Sequence, residues 1–110
     1  MTLIHHLAEP AHWAEALRTG SYRISTRGRT LEQEGFIHAA GDDQWQQVRR
    51  RFYADLQTNL VLLTIDPDAL TVPVRWEVGD PATGERFPHV YGPLDVDAVI
   101  ATRVLPPPHG

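Results

Sequence analysis

The chain has 110 residues, a net charge of −4, six histidines and no cysteine. Its length suits one domain with its own core, and the missing cysteine excludes disulfides, thiolate metal sites and a thiol nucleophile. The charge balance argues against a general nucleic-acid binder, since such proteins carry a basic excess.

No apolar run approaches the roughly 20 residues that a membrane span needs. The opening Met1 to His6 has neither a basic region nor a cleavable apolar stretch, so the expected compartment is the cytoplasm. There is no lysine, so every fixed positive charge is an arginine, the residue whose planar fork suits phosphate and carboxylate.

Thr2 to Leu7 reads as a first strand. Pro10 then suits the first turn of a helix, where its missing N–H costs nothing. Trp13, Ala16 and Leu17 give that helix an apolar face, and Gly20 stops it with a left-handed cap. Ser21 to Gly28 is polar, with Tyr22 and Ile24 as its large apolar anchors, and reads as a loop or edge segment. Thr30-Leu31-Glu32-Gln33 has the form of a capping box on a single helical turn, ended by Gly35.

Phe36 to Ala40 is a short strand, and Gly41-Asp42-Asp43 offers caps for a longer helix. On that helix Trp45, Val48, Phe52 and Leu56 fall at helical spacing, which predicts a core stripe. Arg49-Arg50-Arg51 on the same helix reads as a solvated face. Asn59 to Ile65 carries apolar residues without alternation, the pattern of a strand covered on both sides.

From Val72 the chain alternates, with Val72, Val74, Trp76 and Val78 on one side and Arg75 and Glu77 on the other. Gly79 to Gly84 is a turn, Phe87 to Tyr91 a short strand, and Val96 to Val104 the last strand. Pro106-Pro107-Pro108 predicts an extended, frayed tail. The domain is thus expected over residues 1–105, with 106–110 as a Pro-rich tail.

About six short strands and two helices, without regular strand–helix alternation, point to an α+β fold. No Gly-x-Gly-x-x-Gly or Gly-Lys-Ser/Thr loop supports Rossmann or P-loop nucleotide binding.

Chemistry is expected where histidines sit on strands. His38 and His89 lie among hydrophobes, and strand alternation allows only one of His5 and His6 to face a given pocket. Singly, each reads as a core histidine bonded to main-chain carbonyls. Together with Tyr91 and Glu77 they describe a pocket with a few convergent polar groups. His12 and His109 read as solvent-facing. A histidine zinc site lacks any paired-ligand spacing, and a hydrolase using Ser21 or Ser25 lacks a Gly-x-Ser-x-Gly elbow.

The segments Glu34-Gly35-Phe36-Ile37-His38-Ala39-Ala40, Trp76-Glu77 and Phe87-Pro88-His89-Val90-Tyr91-Gly92-Pro93-Leu94 together resemble the domain-of-unknown-function 952 family of small bacterial proteins. That family is similar in fold to the ADP-ribosyltransferase superfamily. The resemblance implies a split mixed β-sheet with two to three helices around a central cleft, with NAD as the substrate.

It further implies that His6, or His5 one residue away, holds the ribose beside nicotinamide, with His38 holding ribose or phosphate. Glu77 would polarise the ribose; its bland alternative is an ion pair with Arg75 or Arg86. His89 and Tyr91, or Tyr22, would line the nicotinamide end. Arg27, Arg23 or Arg29 would hold the pyrophosphate through a forked contact. The activity expected is ADP-ribosyl transfer to an acceptor or NAD hydrolysis. The alternatives are a nucleotide-binding or metabolite-binding domain without catalysis and, behind it, a metal-dependent hydrolase.

Overall fold

A computed structural model describes residues 2–110. The first strand, β1 (Ile4–Ala8), is buried along its whole length, and α1 (Pro10–Thr19) follows with Pro10 in its first turn. Gly20 ends α1 at φ 88°, a left-handed conformation that glycine adopts without strain, and its N–H donates to the Ala16 carbonyl. Ala16 is buried as the spacing required, whereas Leu17 is 60 % exposed and lies outside the Trp13 and Ala16 face that packs on the core.

The polar stretch expected as loop or edge holds two short strands, β2 (Ser21–Tyr22) and β3 (Ile24–Thr26). Next come β4 (Arg29–Thr30) and the single turn α2 (Leu31–Glu34), which carries the full reciprocal capping box between Thr30 and Gln33. β5 (Ile37–His38) leads to α3 (Trp45–Tyr53), which is entered through Gln44; neither Asp42 nor Asp43 caps it. Instead the Gln44 side chain accepts from the Gly41 N–H at 2.9 Å.

On α3 the apolar stripe is corrected at its far end. Trp45 and Tyr53 are buried, while Phe52 stands 53 % exposed, because the helix stops there and turns its last residues around a hollow.

The apolar run forms β6 (Leu60–Ile65), buried at every position but Thr64. It is central, paired antiparallel with β1 on one side and with β10 (Val99–Leu105) on the other. A second three-stranded sheet has the order β5, β8 (Glu85–Val90), β7 (Val74–Asp80), and β2 pairs with β9 (Leu94–Asp95). Among the described residues the strands form four small sheets and every pairing is antiparallel, so the mixed strand direction that the resemblance implied is not found. The fold is α+β.

A β-bridge between His5 and Ala40 joins the two larger sheets, with main-chain bonds of 2.7 and 2.8 Å. Alternation on β7 is as expected, but its burial is not: Trp76 and Val78 are 42 % and 46 % exposed, since β7 is an edge strand.

The Pro-rich tail is anchored rather than frayed. His109 is buried, its Nε2–H donates to the Thr58 carbonyl at 2.7 Å, and its Nδ1 accepts from the Arg49 guanidinium at 2.9 Å. Arg49 also donates to the Pro106 carbonyl at 2.9 Å, so one arginine of the triplet serves the tail rather than solvent. His12, expected in solvent, is half-buried on α1, 3.7 Å from Glu9.

Candidate functional site

The junction of the two sheets encloses a cavity of about 420 Å3. Sheet geometry brings four histidines to its wall: His5 and His6 from β1, both of them although alternation was expected to admit only one, His38 from β5 and His89 from β8. α3 adds Trp45, Val48 and Phe52, which make the remaining wall largely apolar. The volume is that of a small-ligand pocket, for which roughly 300–1,000 Å3 is usual.

Hydrogen bonds separate the four imidazoles into two classes. His6 Nδ1 lies 2.5 Å from the His38 carbonyl, an acceptor only, so Nδ1 carries the proton. Its Nε2 then accepts from the Tyr22 hydroxyl at 2.8 Å. With both nitrogens committed and its ring buried, His6 is held neutral, its pKa lowered to about 4 chiefly by desolvation. Tyr22 is 1 % exposed and lies edge-on to that ring, so neither residue reaches a ligand without giving up this bond. His5 is committed as well: Nε2–H donates to the Asp42 carboxylate, and Nδ1 accepts from the Thr64 hydroxyl at 3.2 Å.

The other pair is open. Ser25 is fully buried and donates its single hydroxyl proton to the Phe36 carbonyl, so at 2.9 Å it accepts from His38 Nδ1–H. His38 therefore presents an Nε2 lone pair. Burial and the neighbouring His89 lower its pKa, which keeps that lone pair free of a proton at neutral pH.

His89 Nδ1–H donates to the Glu77 carboxylate at 3.2 Å, and the Tyr91 hydroxyl donates to the same oxygen. The Tyr91 and His89 bonds lower the Glu77 pKa, Tyr91 first, so the carboxylate is ionised. Among the described residues neither open Nε2 has a hydrogen-bond partner, and neither is sealed from solvent.

His38 and His89 stand directly opposite on adjacent strands, their ring centroids 6.0 Å apart. Phe36 fixes both rings, stacked on His89 at 4.1 Å and 17° and tilted against His38 at 4.6 Å. Arg75 on β7 is the direct register partner of His89 and lies over the Tyr91 ring at 5.3 Å.

Glu77 occupies the face that alternation gave it, but it stands behind His89 and is not part of the cavity wall. It pairs with His89, not with Arg75 or Arg86. Tyr91 likewise supports Glu77 from outside the cavity.

Arg27 does line the cavity, and it is tied to Asp55 at 2.7 Å and to the Phe52 carbonyl at 3.0 Å. Arg23 and Arg29 are paired with Glu32 and Glu34 away from it. Among the described residues no three His, Asp or Glu side chains are grouped to hold a metal ion.

Four contributors were not legible as site residues: Ser25 as the anchor of His38, Phe36 as the spacer, Asp42 as the partner of His5, and Trp45 as cavity wall in addition to its expected place in the core. Only Phe36 carried a signal, two positions before a strand histidine and so on the same face.

Comparison with solved structures finds protein CC0527 from Caulobacter crescentus. Its crystal structure matches with a TM-score of 0.81 at 33 % identity, covering 94 % of this chain and 86 % of that one. Its solution NMR structure matches with a TM-score of 0.77 at 33 % identity, covering 96 % and 86 %. No curated protein matches. The family model described as protein of unknown function (DUF952) matches residues 7–102. This span includes His38, Glu77, His89 and Tyr91, and the chain belongs to that family.

Proposed function

We propose that the cavity binds NAD as substrate and that the protein cleaves its nicotinamide–ribose bond, passing ADP-ribose to water or to an acceptor. The observation that carries this reading is the pair of open imidazoles on a largely apolar cavity wall, one of them backed by a carboxylate. The fold similarity to ADP-ribosyltransferases that the family resemblance implies supports it by analogy only, because sites rather than folds carry function.

Cleavage of the C1′–N bond releases neutral nicotinamide with the bonding pair and leaves an oxocarbenium-like ribose. The oxygen of water or of the acceptor bonds C1′, and its proton must leave. His89 Nε2 takes that proton, and the Glu77 carboxylate faces the positive charge that forms, the role of the carboxylate behind histidine in hydrolytic triads. His38, kept neutral, accepts a hydrogen bond from a ribose hydroxyl and positions the sugar. Solvent then removes the proton from His89. Glu77 in this scheme is a positioning residue.

Calorimetric titration with NAD, followed by a nicotinamide-release assay, tests the proposal. Millimolar affinity or better is expected, with release abolished in His89→Ala. A folded protein that gives no heat with millimolar NAD overturns it. NAD binding without release, unchanged by Glu77→Gln, would assign the same cavity to a nucleotide-binding domain without catalysis. The position of Glu77 outside the cavity wall is the observation on that side.

A further inference from the structure

A second hollow of about 380 Å3 adjoins the first and shares Val48, Arg51, Phe52, Asp80 and Phe87 with it. Two of these shared residues form an ion pair, Arg51 to Asp80 at 3.1 Å, running from α3 to the end of β7. Arg50 stands at the second hollow alone.

Among the described residues both carboxylates of this hollow already have donors, whereas an arginine beside them has no acid partner. Both Glu85 oxygens accept from Gln47, and one also from Gln44. One Asp80 oxygen accepts from Arg51 and the other from the Ala82 N–H. Among the described residues the Arg50 guanidinium has no carboxylate partner, and Arg51 uses one nitrogen of its fork. The exposed Phe52 ring carries the Arg51 guanidinium 5.2 Å above it and walls both hollows. An arginine triplet that reads as a plain solvated face therefore puts Arg51 at both hollows and Arg50 at the second.

We infer that the second hollow is an anion subsite in which Arg50 and Arg51 hold the phosphate or pyrophosphate of the ligand whose sugar lies in the first. The inference deepens the proposed function and rests on its ligand class. An incoming phosphate takes Arg51 from Asp80 by offering a bidentate acceptor. Asp80 is thus a competitor for Arg51. The ligand class is a nucleoside carrying a phosphate or diphosphate at its 5′ position.

The test is calorimetric binding of ADP-ribose and of nicotinamide riboside to the wild type, Arg50→Gln and Asp80→Asn, at two salt concentrations. Arg50 is exposed, so its replacement leaves the fold intact. Arg50→Gln is expected to weaken ADP-ribose about tenfold and to leave nicotinamide riboside unchanged, since a lost charge-assisted contact costs only the ligand that carries the anion. Asp80→Asn is expected to tighten ADP-ribose by releasing Arg51, a gain that a purely structural ion pair would not give.

Equal effects on both ligands, or none on ADP-ribose, overturn the inference. Nicotinamide release from NAD that persists unaltered in Arg50→Gln removes the anion subsite and leaves the reaction standing. Arg50-dependent binding of ADP-ribose without any release from NAD does the reverse.

Discussion

Lowering the pH toward 4 is expected to destabilise the protein through His6, by an amount that follows from its burial. In the folded chain its pKa is lowered to about 4 from the ordinary histidine value of 6.5. The unfolded chain therefore binds a proton over this window that the folded chain refuses, and stability rises with pH there. The contribution is present in full above pH 6.5 and is lost as the pH falls to about 4.

At about 1.36 kcal/mol per unit, the integrated loss is about 3 kcal/mol between pH 7 and pH 4, a large share of the roughly 5–15 kcal/mol of a typical domain. His38, whose pKa is also lowered, adds a smaller term of the same sign.

Urea unfolding at half-unit pH steps measures the slope. His6→Asn keeps a donor for the His38 carbonyl but has nothing to titrate. It should be less stable at pH 7, by about 1–3 kcal/mol for the abandoned Tyr22 hydroxyl, and should depend much less on pH. Equal slopes for the wild type and His6→Asn between pH 6.5 and 4.5 would refute the assignment of His6 as a buried neutral histidine.

Glu77→Gln should slow nicotinamide release from NAD by about 10–100-fold, with little change in KM, because it supports the imidazolium only while the proton is in transit; steady-state kinetics show whether the loss falls on kcat. Ser25→Ala removes the acceptor that fixes the His38 tautomer and leaves a void too small for water, so a stability cost of about 1–2 kcal/mol is expected; the tautomer change is read directly in the 15N shifts of the imidazole. His109→Ala should cost about 1–3 kcal/mol in denaturant unfolding, since it abandons the Thr58 carbonyl and frees the Arg49 fork together. Leu63→Ala, in the centre of β6 with both faces covered, should cost about 2–5 kcal/mol in the same assay.

Local chemistry made much of the fold legible. β6 was readable because an unalternated apolar run has few ways to be satisfied except between two covering layers. α1 was readable because Pro10 and Gly20 mark its ends, and α2 because the capping box is a four-residue device. What the pattern did not carry is which side of an amphipathic element meets the core. The stripe on α3 gave no sign that Tyr53 would be buried and Phe52 left at a cavity mouth, since that depends on where the helix stops relative to β7. Alternation on β7 was read correctly, yet an edge strand need not bury its apolar side.

The site was legible at the level of residue type and not of role. His38, His89, Glu77 and Tyr91 do gather in one place, but whether a histidine is spent or free depends on its partners. Those partners sit far away in sequence: Tyr22 and the His38 carbonyl for His6, Ser25 for His38. The anchored tail was hidden for the same reason, as Arg49 and His109 meet only after the chain has closed on itself.

The bridge between His5 and Ala40 sets how the molecule can yield. Parting the halves along that seam severs a pair of amide contacts and the two histidine bonds beside them, whereas widening the hollow within either sheet would unzip a whole ladder. An occupant bulkier than the resting volume would thus be admitted by a small spreading at the seam, and the amide protons of those two residues would exchange with deuterium at a rate that reports occupancy.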